Sequence, residues 1–498
     1  MGKKPNIILI VMDAVRAQNL SSYGYAEKTT PRIESILPEC VLYRNAISSS
    51  YWTLSSFAST FTGTYVSRHG LLVDGEVLDP KFLTMAEYLK SNGYITCGLC
   101  TYAYVSSFSG LDKGFDLFYD YRFFDRSGSR GSPMYKLYKK MLKKSRHTGS
   151  NGANKKGLVQ KLKESMIYKR LLWFLTKNNP GHAEFINAML FRLIQRNKKK
   201  PFFMFVHYPE THSPYILPQP YRGKFLTNQM KRKKPWNVNQ DWLKHFLGTV
   251  KMEKLDFSIL EALYNGAINY LDERIHEIYS FLEREQLLSD TMLIITSDHG
   301  NNIGEHNMMF HCWCLYDTLI RIPLIIRYPN DINLCGEEKN VVQNIDLLPT
   351  IMDIIGTKDE NLFDQIQGNS LLSENIKKRS CSYAISELIR PFGRSTRSLS
   401  TTLEKYNRRL ISIRTKDKKF IWASDGIDEF YDLKSDPYEM KNLAGSDDPS
   451  LTELRERLEP WLKAFQEMYQ RKKEKINGAK KLELGSDIKE RLRKLGYL

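Results

Sequence analysis

Apolar positions along this chain fall into two kinds of run. Pro5–Asp13 reads PNIILIVMD, an unbroken β-branched stretch that ends on a carboxylate. That is the pattern of a strand buried on both faces of a parallel sheet. Gly93–Leu99, Pro201–His207, Thr291–Ser297 and Ile322–Arg327 are predicted strands of the same kind. Between them apolar residues return at helical spacing. The clearest case is Leu263–Glu285, where Ile268, Leu271, Ile275, Ile278 and Leu282 mark one face. Strands alternating with helices predict an α/β fold, a large and mainly parallel sheet flanked by helices. Chemistry in such sheets collects at the carboxyl ends of strands. Three predicted strands end there on polar residues: Asp13, His207 and Asp298.

After about Lys377 the pattern changes. Leu410–Arg414, Lys419–Trp422 and Phe430–Leu433 read as short antiparallel strands, and Ser450–Gln470 and Ser486–Leu495 as polar helices. The expected organisation is a large α/β domain over 1–377, a small C-terminal α+β subdomain over 378–446, and a helical tail over 447–498. With 498 residues, 42% of them hydrophobic, the chain can bury a sizeable core.

Charge changes the picture only when it is placed. The segment 126–200 holds 20 Lys and Arg against Glu164 and Glu184, while the remaining 54 basic and 54 acidic residues cancel. The +18 excess is therefore one basic insertion in a neutral protein. Its Gly, Ser and Lys content is that of a flexible surface loop, with one helical piece at Tyr135–Lys144. A second reading notes Tyr135, Leu137, Tyr138, Met141 and Leu142, then Ile167, Leu171, Leu172, Trp173 and Phe174, among the basic residues. Such segments suit peripheral contact with an anionic membrane. Nucleic acid ranks below lipid, because no nucleic-acid motif accompanies the charge. No apolar run approaches the ~20 residues of a bilayer span, and no small-residue cleavage site follows Pro5–Asp13. Neither a transmembrane helix nor a signal peptide is expected. Seven cysteines do not form a disulfide framework, and Cys97 and Cys100 read as buried thiols rather than a redox pair. A reducing cytoplasm is the expected home.

The candidate chemistry sits in five segments. They are Asn6–Arg16 (NIILIVMDAVR), Tyr51–Gly63 (YWTLSSFASTFTG), His207–Tyr215 (HYPETHSPY), Ser297–His306 (SDHGNNIGEH) and Asp346–Thr350 (DLLPT). A metal-assisted ester hydrolase needs carboxylates and imidazoles from separate strand ends, converging on one ion beside a nucleophile. Asp13, Asp298 and His299 fit that role. The bland alternatives are helix caps for Asp13 and Asp298 and loop histidines for His212 and His311. His207 and His306 are open between ligation and merely orienting a neighbour.

In order and separation the five segments resemble the sulfatase family of the alkaline-phosphatase superfamily. Phe430–Leu443 (FYDLKSDPYEMKNL) is similar to that family's C-terminal subdomain. The resemblance covers roughly 5–125 and 200–446. It implies a metal held by Asp13, Thr53, Asp298 and His299, with Thr53 at the nucleophile position. It also implies that His212 and His311 act on the substrate or hold a second metal. Family sulfatases carry a Cys or Ser there, converted to formylglycine within Cys-x-Pro-x-Arg; here the slots hold Thr53, Ser55 and Phe57. Threonine cannot follow that conversion, since its β-carbon bears a methyl. It can attack directly once its hydroxyl is activated, as in the phosphatase and phosphoethanolamine-transferase branches. The alternative for Thr53 is an N-cap.

The family's second carboxylate is replaced by Ala14, and its anchoring arginine by Phe57. Calcium needs many oxygen ligands. Two aspartates, histidine nitrogen and a threonine oxygen suit zinc or manganese better. The expected activity is hydrolysis of anionic esters, glycan- or lipid-linked, with phosphate ahead of sulfate. A phosphoryl-group transferase and a non-catalytic binding protein on the same fold are the alternatives.

Overall fold

The computed structural model describes residues 4–120, 182–357, 359–372, 383–392 and 402–478. Fifteen strands lie among them. In chain order they begin β1 (Asn6–Met12), β2 (Val41–Ile47), β3 (Ile95–Cys100), β4 (Leu117–Tyr119), β5 (Phe202–Tyr208) and β6 (Thr291–Ser297). The short β7 (Asn302–Ile303) and β8 (Met309–Phe310) follow, then β9 (Arg321–Ile322), β10 (Leu324–Arg327) and β11 (Gly336–Gln343). The C-terminal set is β12 (Ala384–Leu388), β13 (Leu410–Arg414), β14 (Lys418–Ala423) and β15 (Glu429–Asp432).

The large sheet runs β11-β2-β10-β6-β1-β5-β3-β4, with β9 paired to β2. Its centre is parallel: β1 lies between β5 and β6, and β5 continues through β3 to β4. β10 runs antiparallel to both β6 and β2. Every residue of β1, β5 and β6 is buried, which is why their sequences are unbroken apolar runs rather than alternating ones. Ile322–Arg327, expected as one strand, is divided at Pro323 into β9 and β10. Proline lacks the N–H that an unbroken ladder needs.

Register decides what the sheet presents at its edge. Met12 pairs with Tyr208 on one side and Ser297 on the other. Asp13 and Asp298 therefore emerge side by side just past the carboxyl ends of β1 and β6, while His207, paired with Val11, stands two residues lower on the adjacent β5. Helices cover the sheet. Thr53–Thr62 is buried along its whole length and sets Phe57 and Phe61 edge-on to Phe205, at 5.5 and 5.2 Å. Gly63, at φ 66°, ends it in the left-handed conformation that glycine adopts without strain. The long helix Lys254–Arg284 packs on the helix His182–Asn197, with Phe191 stacked on Phe281 at 4.2 Å.

His182–Asn197 falls within the stretch assigned to the basic insertion, yet Ala183, Ile186, Leu190, Leu193 and Ile194 on it are core residues. The other candidates there, Tyr135–Lys144 and the 167–174 cluster, lie outside the described residues. So does Ser486–Leu495. No described helix is long and apolar enough to cross a membrane.

The second sheet, β12-β13-β14-β15, is antiparallel throughout. The helix Pro449–Gly478 lies on it, burying Leu451, Leu454, Leu458 and Phe465.

Candidate metal centre and active site

Where β1 ends, the chain turns sharply through Asp13 to Arg16, and nearly every polar backbone group of the turn is held. Ala14 N–H donates to Asp298 Oδ1 (3.1 Å), Val15 N–H to Ser297 Oγ (2.9 Å) and Arg16 N–H to Tyr264 Oη (2.9 Å). The Tyr264 hydroxyl donates in turn to Ala14 O (2.8 Å). Thr211 Oγ1 holds Asp13 O at 2.6 Å. Ala14 itself sits at φ 59°, a strained conformation for a residue with a β-carbon. Arg16 is buried beneath the turn against Glu305, Glu261 and Asn19. On the neighbouring strand end, Gly300 passes so close to Thr318 O that a β-carbon would stand 2.1 Å from it. Only glycine lets the chain leave Asp298-His299 on this path.

The turn delivers Asp13 to a cluster. One oxygen each of Asp13 and Asp298 and one nitrogen of His207 lie within 4.8 Å of one another, all buried. Asp13 Oδ1, Asp298 Oδ2 and both His207 nitrogens have no hydrogen-bond partner. Buried polar atoms without partners are costly and rare. With one atom from each residue converging at one point, the cluster fits the divalent metal that the family resemblance implies. Electrostatics agree. Burial raises the Asp298 carboxyl above its ordinary range, and Asp13 nearby adds to that. Burial would raise Asp13 too, but His212, His207 and His299 outweigh it and bring it down. Burial also opposes a charge on His207, yet Cys100 and Asp13 draw its pKa well above the ordinary value. Two carboxylates forced together in a dry site call for a cation between them.

Thr53 stands beside this cluster at the start of its helix. Its Oγ1 lies 3.1 Å from His299 Nε2, and His299 Nδ1 is 2.8 Å from Gly300 O. With Nδ1–H donated to that carbonyl, Nε2 is the acceptor for the threonine hydroxyl. His299 Nε2 is also 3.3 Å from Asp298 Oδ2. The His311 ring packs 4.4 Å from His299 and 5.2 Å from His212. His212 Nδ1 lies 2.7 Å from Ser213 O, so Nδ1 carries the proton and Nε2 is the basic nitrogen. Burial lowers the pKa of His212, and that of His311 far more, with His299 and His212 adding to the latter. Both shifts favour the neutral ring.

Comparison with known proteins shows the family. The sulfatase family model matches residues 5–357. The chain belongs to the sulfatase family. A second family model, the C-terminal region of N-sulphoglucosamine sulphohydrolase, matches 304–468. Among curated relatives is the uncharacterized sulfatase YidJ of Escherichia coli K12, 26% identical and covering 92% of this chain and 86% of that protein. Another is the multifunctional alkaline phosphatase superfamily protein PehA of Trinickia caryophylli, 22% identical over 91% of this chain and 93% of that protein. The solved phosphonate monoester hydrolase of Agrobacterium radiobacter shares the fold at a TM-score of 0.70. It is 19% identical, with 93% of this chain and 96% of that one covered.

In this sulfatase-family chain the structure brings Asp13, Thr53, Asp298, His299, His212 and His311 into one buried site. The cap readings of Thr53 and Asp298 do not describe it. Trp52 is the cap position of the Thr53 helix and Thr53 makes no capping bond, while Asp298 follows β6 directly. His212 and His311 are buried rather than loop-surface residues. His306 is elsewhere, stacked 3.8 Å from Tyr316 with Nε2 on Tyr438 O. Asp346 of DLLPT accepts from Gln343 N–H and Asn369 N–H and serves structure. Cys97 and Cys100 are buried free thiols. Phe57, in the arginine slot, places its ring 5.5 Å from His207. Sequence reading missed Tyr264, which lies 248 residues from the turn it holds. Its only signal is a tyrosine on the buried face of a long helix.

Proposed function

We propose that this sulfatase-family hydrolase cleaves phosphorus esters ahead of sulfate esters, with the Thr53 hydroxyl as its nucleophile. The observation that carries the reading is Thr53 Oγ1, fully buried, 3.1 Å from His299 Nε2 and beside the partnerless Asp13 and Asp298 oxygens. Asp13, Asp298 and His299 would hold a divalent ion, which when bound lowers the pKa of a neighbouring hydroxyl and offsets the charge of an anionic ester. The remaining work falls to the chain. The start of the Thr53–Thr62 helix faces the anion with its N–H groups. With its hydroxyl proton given up to solvent, the Thr53 oxygen attacks phosphorus, forming a threonyl ester as the bond to the leaving oxygen breaks. An anionic ester brings a proton onto His212 Nε2, and that proton passes to the departing oxygen. Water then attacks the threonyl ester, its proton passing to the now neutral His212 Nε2 as the bond to the Thr53 oxygen breaks. The relatives' names span sulfate and phosphorus esters, so the choice between them rests on Thr53 in this chain.

The test is turnover of metal-loaded protein on aryl sulfate, phosphate monoester, phosphodiester and phosphonate ester. Phosphorus esters are expected to react faster. Thr53→Ala should lose several orders of magnitude in kcat while keeping its metal, and Thr53→Ser should keep part of it. Arylsulfatase activity without phosphoesterase activity, or parental turnover in Thr53→Ala, overturns the proposal.

A further inference from the structure

His207 is the group in the site that the reaction above leaves without a task. Its side chain is fully buried and neither ring nitrogen has a hydrogen-bond partner. His299 and His212 differ in this, since each has Nδ1 on a backbone carbonyl. On its flanks are aromatic rings, Phe57 at 5.5 Å and Tyr102 at 6.1 Å between centroids. A buried imidazole with both nitrogens unmatched is costly, so something must meet at least one of them. The candidate is at hand. Nε2 stands 3.5 Å from Asp13 Oδ2, without hydrogen-bond geometry, just as His299 Nε2 stands 3.3 Å from Asp298 Oδ2. Both separations are about those of two donors sharing one tetrahedral ion with bonds of ~2.1 Å.

We propose that His207 is a direct ligand of the cation, making a site of two carboxylates and two imidazoles that selects a transition metal over calcium. The inference rests on the reading of Asp13 and Asp298 as metal ligands and adds to it the donor that sets metal identity. Calcium takes six to eight oxygens at ~2.3–2.6 Å, which two aspartates and a threonine cannot supply in a closed pocket. Imidazole nitrogen suits zinc and its neighbours.

The experiment is equilibrium dialysis of the full chain against zinc, manganese and calcium with elemental analysis, for the parent, His207→Gln, His207→Asp and Asp298→Asn. Zinc should bind the parent far more tightly than calcium. His207→Gln should weaken zinc binding beyond the ~10–100-fold that loss of an outer-shell partner costs, and His207→Asp should narrow the gap between zinc and calcium. Cadmium-113 NMR of the parent with nitrogen-15-labelled histidine gives a readout independent of any variant's folding, with coupling to two imidazoles expected. Parental zinc affinity in His207→Gln, or coupling to one imidazole only, overturns the proposal and leaves His207 as a charged partner of Asp13. Metal retained in Asp298→Asn would instead sink the underlying metal reading.

Discussion

Replacing Lys419 by methionine tests how the second sheet supports the first. Lys419 is fully buried, with Nζ 2.9 Å from Asp317 Oδ1 and 2.6 Å from Glu439 Oε1. Asp317 keeps a second partner, Arg414, at 2.8 Å, and burial's upward pull on its carboxyl is outweighed by Arg414 and Lys419. Glu439 has only the backbone N–H of Asp317 besides. Burial raises Glu439 from 4.5 to about 7 even with the lysine present. Removing one partner of a buried ion pair costs about 3–5 kcal/mol. Glu439 can lower that cost by taking a proton, so the cost depends on pH. A folded pKa above the unfolded one means stability that is full below 4.5 and lost as pH rises through about 7. Without Lys419 the folded pKa climbs further, and the loss extends to higher pH. Urea midpoints should therefore show about 3 kcal/mol of destabilisation at pH 8 and distinctly less at pH 6. Asp317 closes the loop that carries His311, so turnover should fall as well. Equal costs at both pH values, or a cost below ~1 kcal/mol at pH 8, would refute the reasoning.

Two further outcomes are expected. Tyr264→Phe strips the hydroxyl that holds Ala14 O and Arg16 N–H, and should cost about 1–3 kcal/mol in a thermal melt. It should also weaken metal retention by roughly 10–100-fold; parental metal content on dialysis would contradict the role given to the turn. Glu387, buried and accepting from Ser67 N–H at 2.7 Å, is raised by burial from 4.5 to about 7. Its contribution is full below 4.5 and lost as pH rises through about 7, so the parent should lose up to ~3 kcal/mol over that window. Glu387→Gln should flatten that part of the stability–pH curve, and an unchanged slope between pH 5 and 7.5 would count against it.

The parts of the fold legible in the sequence were those with a single physical signature. β1, β5 and β6 are buried on both faces, so their apolar runs stand out, and each carries its chemistry one residue from its end. β2 and β11 were not legible. Arg44 and Asn45 interrupt β2, and β11 begins Gly-Glu-Glu-Lys-Asn with its first half largely exposed at the sheet edge. Edge strands need little apolar surface, so they leave little pattern. β4, with three residues, is too short to show a period. At the site, Asp13, Asp298, His299 and Thr53 were legible through strand ends and motif spacing. Whether His207 joins them was not, because that depends on the Met12–Tyr208 register and on Phe57 closing the other side. Tyr264 and the Lys419 pair are long-range contacts with no local trace.

The second sheet is fastened to the candidate site rather than merely attached to the domain. The loop that leads into Thr53 is fastened to β12: Glu387 N–H donates to Ser49 O at 2.9 Å, and Ser386 Oγ to Ser48 O at 2.6 Å. From the other direction, Ser48 Oγ and Ser56 Oγ donate to Asp298 O at 2.6 and 2.7 Å. The peptide that carries the Asp298 carboxylate is thus tied to both sides of Thr53, while β12 fixes the segment that feeds it. A nucleophile misplaced by about 1 Å can cost 10²-fold in rate. Thr53 lies on the first turn of its helix, and a helix alone sets direction but not height. Height comes from the serines, one pair reaching β6 and the other β12. A chain cut short before β12 would keep every residue of the Asp13, His207 and Asp298 cluster and still lose the alignment that the proposed attack by Thr53 requires.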